Sequence, residues 1–226
     1  MFITFNTLLK SKIYIDNNFK NIHFNNYKFI YKIEYNYCIL NFILIILYLY
    51  KLYIYIYNIS LKNNKILFIH NNNLFINFII KICILTNNFY IIKWIPGLLT
   101  NWRLFKKRII IYIWLEKIFK NKYYIKILSK KCLYKFKYIY NKLCINLYGI
   151  RNMLILPKCI FLIKYNNLIL KEILKLKLIL ISFINLSLDS SYINIKVLGN
   201  YNNYKSIKLI YKIVYTSIIH SKIKNM

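Results

Sequence analysis

Alanine and glutamine are absent from this chain of 226 residues, and it holds only 3 Gly, 2 Pro, 3 Trp and 5 carboxylates. Each shortage excludes a class of function. The carboxylates Asp16, Glu34, Glu116, Glu172 and Asp189 are scattered with no close pair, so acid/base and two-metal chemistry lack parts. The first strand-like run, Lys65 to Ile69, is followed by His70-Asn71-Asn72-Asn73 in place of G-x-G-x-x-G, and no Walker sequence exists, which argues against a nucleotide site. Cys38, Cys83, Cys132, Cys144 and Cys159 are odd in number and form no C-x-x-C pair, so a disulfide framework is not expected and apolar structural thiols are. His23, His70 and His220 stand alone. The reading is of a non-enzyme with no catalytic, cofactor or metal site.

What is abundant points elsewhere. Lys and Arg number 35, giving a net charge of +30, and they are spread along the chain instead of gathered in one tail. Polyanions are the fitting partner, because each cation placed on a phosphate releases condensed counterions. The interleaving of Lys with rings across Lys130-Lys131-Cys132-Leu133-Tyr134-Lys135-Phe136-Lys137-Tyr138 suits RNA, where aromatic faces and alkyl stems pack on bases and sugars. Ile, Lys, Asn, Tyr and Phe are residues with codons rich in A and T, so the composition implies an AT-rich genome, as small organelle genomes are. Drift of that kind raises Lys without accounting as well for the few acids.

Hydrophobic residues make up 59% of the chain, ample for one sizeable core. The run from Cys38 to Ser60 is long enough to span a bilayer, but Tyr crowds its second half, and the expectation is a core helix. A small multi-span membrane protein is the alternative. Leu176 to Ile184 is too short to span and reads as a buried parallel strand. Strands are also expected at Lys65 to Ile69, Asn88 to Lys93, Cys159 to Lys164 and Ile193 to Val197. Helices are expected at Leu74 to Leu85, Asn167 to Leu176 and Tyr201 to Ser221. Trp102 to Tyr148 reads as two antiparallel basic helices broken near Asn121 to Ser129, with Glu116 and Lys120 supporting the first at i,i+4. Alternation of this kind predicts a parallel sheet covered by helices on both faces.

The segment Lys93-Trp94-Ile95-Pro96-Gly97-Leu98-Leu99-Thr100-Asn101-Trp102-Arg103 concentrates the rare residues. It reads as a turn from strand to helix, with Pro96 and Gly97 setting backbone angles and Thr100 or Asn101 as the cap. It resembles the W-x-G-G-x-L-T-N-W signature of the bacterial-type small-subunit ribosomal protein S2 family, with Pro96 in place of the first Gly. Other landmarks follow in order: Lys65-Ile66-Leu67-Phe68-Ile69 before it, Leu115-Glu116-Lys117 after it, and Lys130-Lys131 where that family turns a helical hairpin. Gly149-Ile150-Arg151-Asn152-Met153, Leu156-Pro157-Lys158 and Leu198-Gly199-Asn200 complete the set. The resemblance runs from about Asn21, near Ile22-His23-Phe24, to near Ile219.

The resemblance implies a Rossmann/flavodoxin-like three-layer α/β fold with an inserted hairpin. It divides as 1–101, the first part of the α/β domain with an N-terminal extension; 102–148, the hairpin; and 149–226, the second part with a C-terminal helix. It implies a structural constituent of the small ribosomal subunit near the head-body junction, bound to small-subunit rRNA and neighbouring ribosomal proteins, with no small-molecule substrate. Trp94, Pro96, Gly97, Thr100, Asn101, Trp102, Gly199 and Asn200 are expected to be structural. Lys93, Arg103, Lys106, Lys107 and Arg108 are expected on phosphates, since four cations within six residues repel one another unless a polyanion offsets them. Lys130, Lys131 and Lys135 form a second patch, with Lys126 and Lys137. Lys205, Lys208 and Lys212 share a helical face that is either solvated or on RNA. Asn25-Asn26, Lys158 and Asn185 replace family residues, and Asp189 alone keeps the acid of a D-P-D segment. Met1 to Lys20 lacks a cleavable apolar core, so no targeting peptide is expected. An organelle is implied, a plastid in preference to a mitochondrion.

Overall fold

The computed structural model describes residues 4–16, 22–35, 37–69, 75–163, 166–184, 186–187 and 189–225. Helix α1 (Phe5–Ser11) starts at Thr4, whose side chain accepts from the Thr7 amide. Strand β1 (Ile15–Asp16), a 3-10 turn (Phe24–Phe29), β2 (Ile30–Glu34) and β3 (Tyr37–Leu40) follow, and the strands pair antiparallel in the order β1-β3-β2. This small sheet has no counterpart among the strands expected from sequence. In β2 only Ile30 is even partly covered, so no alternation of apolar and polar positions announced it.

Helix α2 (Phe42–Leu61) is capped by Asn41, whose Oδ1 accepts from the Ile43 amide at 3.0 Å. Ile45, Leu49, Leu52 and Ile56 recur at spacings of four and three and are fully buried. Their outer neighbours are not: Ile43 is 69% exposed and Tyr50 62%. The run expected as a core helix is therefore the end of β3 followed by a helix buried along one stripe. Among the described residues α2 is the one helix long and apolar enough to cross a membrane, but its buried stripe is engaged by the C-terminal helix and the sheet.

Runs apolar at consecutive positions make the central sheet, as burial on both faces requires. The chain passes through β4 (Ile66–Ile69), α3 (Ile76–Thr86) and β5 (Phe89–Ile91), and then through the inserted helices α4 (Trp102–Lys120), α5 (Lys122–Ile127) and α6 (Lys130–Leu147). It returns through β6 (Cys159–Leu162), α7 (Asn167–Lys175), β7 (Ile179–Phe183), β8 (Ile195–Val197) and α8 (Tyr204–Asn225). All five strands are parallel in the order β5-β4-β6-β7-β8. Counted from β4, this is the flavodoxin-like order 2-1-3-4-5. Right-handed crossovers leaving the β4/β6 pair in opposite directions put α3 and α7 on opposite faces. Helix α8 packs against α2 and α3. Rings of Phe68, Phe161 and Tyr211 meet at 5.5 to 6.4 Å beneath it. The expectation of a three-layer α/β fold holds. His70 to Leu74, Lys164 and Asn185 lie outside the described residues.

Candidate nucleic-acid interface

Strand β5 ends at Ile91, and residues 94–101 turn the chain into α4. Gly97 sits at φ 81°, in the left-handed region that side chains resist, so this position needs glycine. Leu98 and Leu99 are buried, and the half-buried rings of Trp94 and Trp102 pack on the core, which makes them anchors.

Neither Thr100 nor Asn101 caps α4 in the expected way: Asn101 occupies the cap position with no side-chain hydrogen bond. A carboxylate from elsewhere instead holds the turn ahead of that cap. Glu172 accepts from the backbone amides of Gly97 at 2.7 Å, Leu99 at 3.0 Å and Thr100 at 3.3 Å. It is carried inward by the stripe Ile169, Leu170 and Ile173 of α7, all buried. A buried carboxylate is costly unless hydrogen-bonded, and three amides satisfy it. Sequence reasoning counted Glu172 only as a catalytic candidate. Its signal was an acid on the apolar face of an amphipathic helix, in a chain with few acids.

The turn delivers cations to the surface. Lys93 is exposed at the bend after β5, and Arg103, Lys106, Lys107 and Arg108 are exposed on the first turns of α4, above buried Phe105 and Ile109. At 3.6 residues per turn, Arg103, Lys106 and Lys107 share a sector of about 100°, whereas Arg108 lies about 140° from Arg103. Arg108 instead rests over the Phe105 ring at 5.0 Å. The structure thus groups three of the four.

The hairpin forms as expected, with α4 against α6 and the short α5 occupying the expected break. Lys120 Nζ is 2.7 Å from Glu116 Oε1, and Arg151 Nη1 reaches the same oxygen at 3.7 Å, tying the last turns of α4 to the segment that follows α6. Ser129 caps α6, and Lys130, Lys131 and Lys135 stand exposed just beyond it. Lys205, Lys208 and Lys212 are exposed in one sector of α8, on an element separate from the other two clusters.

Two motif segments bind distant parts of the chain together. The Asn200 amide donates to Ile13 O at 3.2 Å, and its Nδ2 donates to Ile15 O at 2.8 Å. Asn25 Nδ2 donates to Asp189 Oδ1 at 3.0 Å, so a residue replaced relative to the family pattern meets the one acid retained. Asn25, then the Ser191 amide and hydroxyl, stabilise the ionised Asp189 and hold its carboxyl down to about 2. His23 accepts from the Asn25 amide, and His220 Nδ1 shares a 2.6 Å hydrogen bond with the Tyr53 hydroxyl. Burial raises the Cys83 thiol well above its ordinary range and Cys159 to about 12, as inert structural thiols require. Among the described residues no group of His, Cys, Asp and Glu could hold a metal ion.

A family model described as ribosomal protein S2 matches residues 8–221. Small ribosomal subunit protein uS2c of Toxoplasma gondii is 31% identical over 228 residues, covering 97% of each chain. Small ribosomal subunit protein uS2 of Carsonella ruddii (strain PV) is 33% identical over 214 residues, 93% of this chain and 97% of its own. That of Wigglesworthia glossinidia brevipalpis is 31% identical over 170 residues, 74% and 70%. With a match of this extent and the signature turn folded around its glycine, the chain belongs to the ribosomal protein S2 family.

Proposed function

We propose that the protein faces rRNA principally through the base of its hairpin. As a member of the S2 family it is a structural constituent of the small ribosomal subunit, held by rRNA and by neighbouring ribosomal proteins. The observation that carries the assignment of a face is the Glu172-anchored turn, which presents Arg103, Lys106 and Lys107 together in one sector of α4. Lys93 and Arg108 flank them. Lys130, Lys131 and Lys135 make a second contact at the hairpin tip, and Lys205, Lys208 and Lys212 a third on α8. Residues 1–101 and 149–226 act as two halves of one α/β domain, with 102–148 as the arm that reaches into RNA. The role is non-catalytic. A plastid is favoured over a mitochondrion by the AT-rich composition together with the similarity to a uS2c protein.

Salt tests the reading. Binding of the isolated protein to small-subunit rRNA should weaken linearly in log affinity against log salt. Converting Arg103, Lys106 and Lys107 to Glu should make that slope shallower by about 2 to 3, near one unit for each phosphate no longer neutralised. Affinity indifferent to salt would remove the electrostatic argument.

A further inference from the structure

The Trp94 turn leaves the C-terminal end of β5, and a second polar feature lies at the other end of the same sheet. Lys65 directly precedes β4, Phe89 opens β5 and Lys158 directly precedes β6. Because these three parallel strands are neighbours, their entrances lie side by side. There they line two hollows of about 490 and 430 Å³ that share Lys65, Phe89 and Asn152 and therefore form one groove. Arg151 lines the first hollow and Lys158 the second.

The groove is cationic by construction. No carboxylate lines it, and Lys65 and Lys158 have no ion-pair partner among the described residues. Arg151 has only the 3.7 Å approach to Glu116, an acid already engaged by Lys120 at 2.7 Å. Two of the cations are seated on rings: Lys65 Nζ lies 4.8 Å from the centroid of Phe89, and Arg151 Cζ 5.0 Å from that of Tyr148. Gly149 makes this arrangement possible. A Cβ there would stand 2.2 Å from Tyr90 O, so only glycine lets the turn bearing Tyr148 and Arg151 lie against β5.

We infer that this groove is a further RNA site, at the end of the sheet opposite the Trp94 turn, and that it takes an unpaired strand. Phosphates would lie on Lys65, Arg151 and Lys158, whose mutual repulsion a polyanion offsets. A splayed base would stack on Tyr148, which is 42% exposed. Paired bases present no free face to such a ring. The inference rests on the RNA reading above but assigns different residues.

Because a protein of net charge +30 binds RNA at many points, the test must report position. The full-length protein is photo-crosslinked to a short uridylate oligomer carrying 4-thiouridine, and the adducts are mapped. Adducts are expected at Tyr148. Lys65→Glu with Lys158→Glu, both at exposed positions, should reduce them about tenfold while adducts near Trp102 persist. Three results would overturn the site: adducts near Trp102 but none in the groove, groove adducts unchanged by the double variant, or equal labelling when the oligomer is annealed to its complement. Loss of the groove adducts to an equal concentration of free uridine monophosphate would overturn the strand as ligand. Absence of adducts everywhere would instead defeat the RNA reading itself.

Discussion

Arg103, Lys106 and Lys107 stand on the first turns of a helix seated there in the core by Phe105 and Ile109, whereas Lys130, Lys131 and Lys135 stand on α6, which buries a single side chain, Leu147, at its far end. The distal hairpin is held mainly by rings, with Tyr112 stacked on Tyr140 at 5.6 Å and Trp114 edge-on to Phe136 at 5.8 Å. Trp114 is itself half exposed. Similar charges are therefore mounted on supports of different stiffness. A cation above a buried anchor has its direction set before RNA arrives, and one on a loosely packed arm acquires it on docking, at a cost in ordering.

The contrast depends most on Glu172. Glu172→Ala would leave three amides of the Trp94 turn without their acceptor, and the loss should destabilise the isolated protein by about 3 kcal/mol in denaturant unfolding. Glu172→Gln keeps one carbonyl oxygen and should recover part of that. Wild-type stability in the alanine variant would show that the base of the hairpin is no better fixed than its tip.

Gly97 provides a second, smaller test. At φ 81° a β-branched side chain is strained whatever space surrounds it, and Asn101 Nδ2 lies 3.3 Å from where a Cβ would sit. Gly97→Val should cost about 2 kcal/mol. A melting temperature equal to that of the parent would mark the turn as ordinary.

Much of this support was legible in the chain. Consecutive apolar positions announced β4, β6 and β7; the rarity of Gly and Pro singled out the Trp94 turn; and basic helical runs announced the hairpin. What escaped is what depends on distance along the chain. Glu172 lies 75 residues from Gly97, and Asn25 lies 164 from Asp189, separations at which one sequence holds no pairing signal. The small antiparallel sheet escaped for another reason: Ile30–Glu34 is largely solvent-exposed, so its residues carry no period. The outer face of α2 misled in the opposite direction. Ile43, Ile46, Leu47 and Tyr50 look like core by composition yet lie at the surface, because the burial stripe occupies only every third or fourth position.

The remaining test compares the two clusters directly, and its effect is the most modest in free energy. Reversing Arg103, Lys106 and Lys107 to Glu removes exposed charges without touching Phe105, Ile109 or the Glu172 hydrogen bonds, so the domain should stay folded. The same reversal at Lys130, Lys131 and Lys135 also changes only exposed positions. If the core fixes the direction of the first set, those groups meet phosphate with little ordering to overcome, and their loss should lower incorporation into small subunits about tenfold, or 1.4 kcal/mol. The tip lysines must first be ordered, which offsets part of what each phosphate interaction contributes, so their reversal should cost a few-fold at most. Co-sedimentation with the small subunit reads both. Equal losses would show that stiffness of the support does not decide which cations carry the binding, and a larger loss at the tip would move the principal RNA face to the end of the arm.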